Sequence, residues 1–221
     1  MSVRAALLLL ADGRLPSGGY AHSGGLESAV RSGEVRDTAT LKAFLHARAT
    51  TVGLVAASYA AAAHRAAGSS TELDELDADL DARMPAAASR AVSRALGRQL
   101  TRVLRGIHPH PLLDELPPAA HQPLVYGVAA ASLALTAADV AQLVVHENVA
   151  GPAAAAAKVL SIDPFAVHSI LIDLAPLLDA VAAEAAEGAT RARNELPSLG
   201  TPLLDILAEQ HAHREVRLFA S

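Results

Sequence analysis

Apolar positions along the chain recur at three-, four- and seven-residue steps, and no run alternates with the period of two that a half-buried strand requires. Leu41, Leu45, Val52, Val55 and Tyr59 form one such stripe, capped at its start by Asp37 or Thr38 and ending near Gly68. Val92, Leu96, Leu100, Val103 and Ile107 predict the buried face of a second long helix, with Pro85 in its first turn and its end near Gly106. Thr136-Ala-Ala-Asp139 resembles a capping box with Asp in the Glu position, opening a helix to about Ala150. Gly151-Pro152 is expected to break that helix, with 153–160 continuing. Asp163-Pro164 starts a further helix that reaches Glu187, with a kink expected at Pro176, and Pro202 opens the last one. Shorter helices are expected over 3–11, 26–32 and 124–135, and over the acidic run 72–81 with one wet face. The stretch HPHPLLDELPP, 108–118, holds four prolines and must be a connection. The pattern is all-α: a single-domain helical bundle of about eight to ten helices over 1–221. A glycine-rich segment, 12–27, precedes the bundle and a tail, 214–221, follows it.

Composition sharpens this picture. The chain is 52% hydrophobic but 3% aromatic, and the balance is largely alanine, which favours closely packed helices; high genomic GC content accounts for part of the excess. A net charge of −5, from 18 Lys+Arg against 23 Asp+Glu, argues against a nucleic-acid binder. Without cysteine, disulfides and Cys-ligated zinc or iron–sulfur sites are excluded. Residues 5–11 faintly resemble a signal-peptide core but are short, and no A-x-A-like site follows. The uncharged runs 49–63 and 122–138 fall short of the ~20 strongly apolar residues a membrane span needs. A cytoplasmic protein without membrane or nucleic-acid partners is expected.

Candidate chemistry is sparse. Gly19-x4-Gly24 imitates a phosphate-binding loop, yet Gly25 and Leu26 stand where Lys and Ser or Thr are needed. Among ten histidines the closest pairs are His108/His110 and His211/His213; on a helix the latter point to different faces. H-E-x-x-H is absent, since His146-Glu147 is followed by Asn148, Val149 and Ala150, so no firm metal site emerges. Ser23 lies in HSGG rather than G-x-S-x-G. A small hydrolase using His22 and Ser23, and a storage or sensor protein binding a metal ion through its histidines, stay as alternatives. Arg90, Arg94, Arg98, Arg102 and Arg105 form a stripe with three readings: a face paired with the acidic run, a dock for an acidic partner, or a phosphate site. Glycine-rich backbone without a catalytic cluster points to an interaction protein and not an enzyme.

The segment Leu15-Pro16-x-Gly18-Gly19-Tyr20-Ala21-His22-Ser23-x-Gly25-Leu26-Glu27 resembles the N-terminal signature of the urease accessory protein F (UreF) family. Three later stretches agree in order: Arg90-x2-Ser93-x3-Gly97-Arg98; His121-x-Pro123-x3-Gly127; and Pro202-x2-Asp205-Ile206 with His211-x5-Arg217-Leu218-Phe219-x-Ser221. The resemblance implies an all-helical, non-catalytic, dimeric protein that works in nickel delivery to urease. It would bind accessory protein D or H and recruit the GTPase, accessory protein G. GTP hydrolysis then releases nickel towards apo-urease, and some members line an internal path for the ion. Nickel would be handled transiently, with no tightly bound cofactor. The implied docking residues are Gly18, Gly19, Tyr20, His22, Ser23, Gly25 and Glu27, with Arg217, Leu218 and Phe219 as a tail that orders on binding, and Arg90, Arg94 and Arg98 as an accessory stripe. Two stretches depart from the family pattern, Ser161-Ile162-Asp163-Pro164 and Ala212-His213-Arg214-Glu215-Val216, so the local chemistry there differs.

Overall fold

A computed structural model describes residues 3–221. In order, the helices are α1 (Val3–Leu10), α2 (Leu26–Arg31), α3 (Thr38–Arg48), α4 (Leu54–Arg65), α5 (Ser70–Ala82), α6 (Ala87–Ile107), α7 (Gln122–Ser132), α8 (Ala137–Val159), α9 (Pro164–Gly188) and α10 (Pro202–Ala212). A π-helical turn, Ala49–Gly53, welds α3 to α4, so the described residues form nine continuous helices and no strand. The all-α expectation holds. The caps read from sequence are present. The Asp37 side chain accepts from the Thr40 N–H, and Thr136 and Asp139 exchange both bonds of a capping box.

Alanine explains how the bundle closes. Helix α4 runs through the centre with Ala57, Ala60, Ala61 and Ala63 fully buried, packed against α7, α8 and α9. Small side chains let the helices approach closely. A Cβ on Gly127 of α7 would lie 2.3 Å from the Ala60 carbonyl oxygen, so only glycine fits between the two backbones.

Four details differ from the sequence reading. Pro85 lies outside α6, whose N-cap is Ala86. The buried face of α6 is Gly97, Leu100 and Leu104; Val92, Leu96 and Val103 are half-buried and Ile107 is exposed. The face turns because Gly97 meets the chain at 119–122, where a Cβ would come within 2.0 Å of the Ala120 carbonyl oxygen. Pro152 does not break α8, which runs unbroken through it. Finally, the run 72–81 is not simply wet. Asp77 is buried, while Asp79 and Asp81 bind Arg83 and Arg94.

Helix α9 is, among the described residues, the one helix long and apolar enough to cross a membrane, and 33% of its apolar window is buried inside the protein, against α8, α4 and α3.

Candidate docking site

The glycine-rich segment is a rigid structure and not a loose loop. Gly18 and Gly25 take left-handed φ values of 88° and 87°, capping a 3-10 turn over Gly19–Ala21 and the start of α2. The Gly24 carbonyl accepts from Arg48 Nη1 at 2.6 Å, and a Cβ at Gly24 would sit 2.9 Å from Pro152 Cγ. These glycines answer to the chain's own packing. Their turns push Tyr20 outward, 74% exposed, while Ser23 is 0% and Glu27 1% exposed.

The tail lies on this segment. Leu218 N–H donates to Glu27 Oε1 at 3.1 Å and Phe219 N–H to Oε2 at 3.0 Å. Ala220 N–H donates to the Ala21 carbonyl at 2.7 Å, and the Ser23 N–H and hydroxyl both donate to the Ser221 carbonyl, at 2.6 and 2.7 Å. From α10, His211 Nε2–H donates to the Phe219 carbonyl at 3.2 Å, and its Nδ1 shares a hydrogen bond with the Ser28 hydroxyl, also at 3.2 Å. The tail is therefore ordered within the isolated chain, contrary to the expectation that a partner orders it. A buried carboxylate needs donors, and the two tail amides supply them. Burial pushes the Glu27 carboxyl up, but the Leu218 and Phe219 amides, His211 and Arg31 outweigh it and leave it below the usual carboxylate range.

That geometry revises several roles. Glu27 serves the tail and is not offered to a partner. Ser23 is not a nucleophile for His22, whose Nδ1 instead meets the Ser221 hydroxyl at 2.7 Å. The hydrolase alternative at that pair fails on geometry. Burial also draws the His22 imidazole below its ordinary value. What remains outward is Tyr20 with Arg217 and Leu218, the last 69% exposed, while Phe219 is half-buried beneath the Lys158 ammonium, 5.8 Å from its ring centre.

The arginine stripe divides. Arg94 binds Asp77 at 2.9 Å and Asp81 at 2.7 Å, and Arg90 approaches Asp81 at 3.6 Å. For these two, the pairing with the acidic run is the correct reading. Arg105 binds Asp114, whereas exposed Arg98 and Arg102 form no ion pair among the described residues and border a groove against Leu116, Pro117 and Pro118.

The sequence reading missed a polar knot beneath this stripe. His121, fully buried, donates from Nε2 to Asp81 Oδ1 at 3.0 Å and accepts at Nδ1 from the Ser93 hydroxyl at 3.0 Å. Its own N–H donates to Asp77 Oδ1 at 2.9 Å. Burial holds the imidazole below its usual range. The serine–histidine–aspartate order is that of a catalytic triad, but the Asp81 oxygen that meets His121 also takes two bonds from Arg94, so the cluster is a shared structural knot. It pins α5, α6 and α7 together. The signal was present in Arg90-x2-Ser93-x3-Gly97 and His121-x-Pro123-x3-Gly127, which prove to be two halves of one contact.

Among the described residues no group of three or more histidine or carboxylate side chains is placed to hold a metal ion. The rings of His108 and His110 stack at 5.7 Å, with His108 Nε2 bound to the Ser132 carbonyl and His110 Nδ1 to the Leu112 N–H. Behind the glycine segment lies a cavity of about 420 Å³ between α2, α6 and α10, reached by Arg48, Ser93, Asp205, His211 and Arg217.

Comparison with known proteins places the chain. The UreF family profile matches residues 35–175. Over all 221 residues, and the full length of each relative, the chain is 45% identical to the urease accessory protein UreF of Mycolicibacterium vanbaalenii. The corresponding figures are 46% for that of Mycobacterium sp. (strain JLS) and 41% for that of Mycobacterium tuberculosis (strain ATCC 25177 / H37Ra).

Proposed function

The chain belongs to the UreF family of urease accessory proteins, and we propose that it acts in the cytoplasm as a non-catalytic scaffold for nickel insertion into apo-urease. In this reading it forms a homodimer, binds the D/H-type accessory protein, and recruits the GTPase accessory protein G, whose nickel is cargo handled in passing. The observation that carries the reading is the closed loop-and-tail surface. It is closed by hydrogen bonds between the loop and the tail and displays the exposed side chains of Tyr20 and Leu218. Aromatic side chains fixed on rigid backbone lose little entropy on binding and make effective anchors. Phe165 and Ile172 stand 83% and 74% exposed on α9 and supply apolar area that a two-fold contact would cover.

Size-exclusion chromatography with light scattering, on this chain mixed with its D/H-type and G-type proteins, tests the proposal. Co-elution as a symmetric assembly, lost in a Tyr20→Ala/Leu218→Ala variant that keeps its helical signal, is the expected result. A monomer indifferent to both partners overturns it.

A further inference from the structure

Arg48 is a partly buried cation with no ion-pair partner among the described residues. Its half-buried guanidinium donates to the Asn148 carbonyl at 3.1 Å, the Gly24 carbonyl at 2.6 Å and Asn148 Oδ1 at 3.3 Å, all neutral oxygens. No carboxylate lies within ion-pair distance of it among the described residues. Guanidinium groups drawn into protein are ordinarily matched by a carboxylate or phosphate, because only a counter-charge recovers the lost hydration. A guanidinium has five N–H groups, and these three bonds leave two without a protein acceptor among the described residues. Desolvation pulls Arg48 down to about 10, the direction expected of a cation lacking a counter-ion.

The cavity beside it has the complementary property. Its wall carries three arginines, Arg48, Arg83 and Arg217, against one acidic side chain, Asp205. Arg83 is spent on Asp79 and on main-chain carbonyls, so Arg48 and Arg217 set the field. Burial and the neighbouring Glu209 push Asp205 up, which weakens the charge of that acidic side chain in the wall. The Ser221 carbonyl at the rim is already held by Ser23. Ser89 adds a hydroxyl to the wall. At about 420 Å³ the space is ample for a small polyatomic anion with its remaining water.

We propose that this cavity is an anion site in which the Arg48 guanidinium, aided by Arg217, holds a small oxyanion of the phosphate or carbonate kind. The fork of a guanidinium matches two oxygens of such an ion, whether tetrahedral or planar. A positively lined cavity also disfavours a bare divalent cation.

The test uses the full chain with inorganic phosphate and, separately, bicarbonate, titrated at constant ionic strength against chloride. Phosphate binding is read from ³¹P line broadening, bicarbonate binding from ¹³C line broadening, and both from melting temperature. The expected result is a saturable response to at least one ion, and which ion responds identifies its kind. Arg48→Gln removes the charge while retaining a donor. Because that variant also disturbs the Gly24 and Asn148 contacts, Val92→Phe provides a second arm, adding bulk at the α6 wall and leaving the guanidinium in place. Both are expected to lose the response, by tenfold or more in apparent affinity. No saturable response in the unmodified chain, or a response that persists in Val92→Phe at undiminished affinity, overturns the proposal.

Discussion

Arg48 Nε donates to the carbonyl oxygen of Asn148 at 3.1 Å, and that oxygen is the helical acceptor which Pro152, four residues on, has no N–H to fill. A proline inside a helix orphans one carbonyl and ordinarily costs about 3 kcal/mol. Here a guanidinium from the end of α3 replaces the missing donor, and α8 continues. Arg48→Ala should therefore lower unfolding free energy in urea by about 2–4 kcal/mol. Pro152→Ala, which restores an N–H, should return about 1 kcal/mol of that loss in the double variant. Strictly additive effects would mean the two residues do not share the carbonyl.

Glycine at position 97 is expected to be irreplaceable. An added methyl would meet the Ala120 carbonyl oxygen at 2.0 Å, and that oxygen belongs to backbone fixed by the His121 knot. Gly97→Ala should cost at least about 2 kcal/mol, despite the better helix propensity of alanine. A variant as stable as the unmodified chain in thermal unfolding would show that the 119–122 segment yields freely.

Glu147 makes no ion pair among the described residues, and burial pushes its carboxyl up to about 7. In the unfolded chain it loses its proton near pH 4.5, so between there and about pH 7 the folded form holds a proton the unfolded form has released. Stability must then fall as pH rises through that window and level off above it. Glu147→Gln should be more stable than the unmodified chain at pH 8, by up to about 3 kcal/mol, with the difference vanishing below about pH 4.5. Paired melts at pH 4.5, 6 and 8 decide the point; a constant difference would contradict it.

The tail should respond in the opposite sense. Glu27 lies below its ordinary range when folded, so its contribution is complete above about pH 4.3 and is lost as pH falls further. Amide protection at Leu218 and Phe219, taken relative to the unstructured exchange rate at each pH, should be high at pH 7 and fall below about pH 4, ahead of the core. Glu27→Gln should release the tail at neutral pH with the core helices intact. Equally protected tail amides in that variant would remove the carboxylate from its assigned role.

Where local chemistry decides, the sequence was readable. Thr136 and Asp139 form their box, Gly33 ends α2 at a φ of 80°, and Asp163 caps α9 with its side chain on the Phe165 N–H. Where a distant residue decides, it was not. Pro152 looks like a breaker until Arg48, 100 residues before the oxygen it serves, is placed. Asp77 looks solvated until His121 and Arg94 reach it. The face of α6 rotates because Gly97 presents backbone and not a side chain, which hydrophobic periodicity cannot register. In the glycine-rich segment, the inward turn of Ser23 and Glu27 depends on tail atoms some 190 residues away, a separation of 191 for Leu218 to Glu27.

That separation bears on when the surface comes into being. Synthesis delivers residues 12–27 early and 217–221 almost two hundred residues later, and long-range closures are slow steps in folding. Throughout that interval Glu27 and Ser23 lack their partners. A chain interrupted anywhere before Arg217 cannot present the closed loop at all. The surface that we assign to partners is thus among the last parts of the fold to assemble.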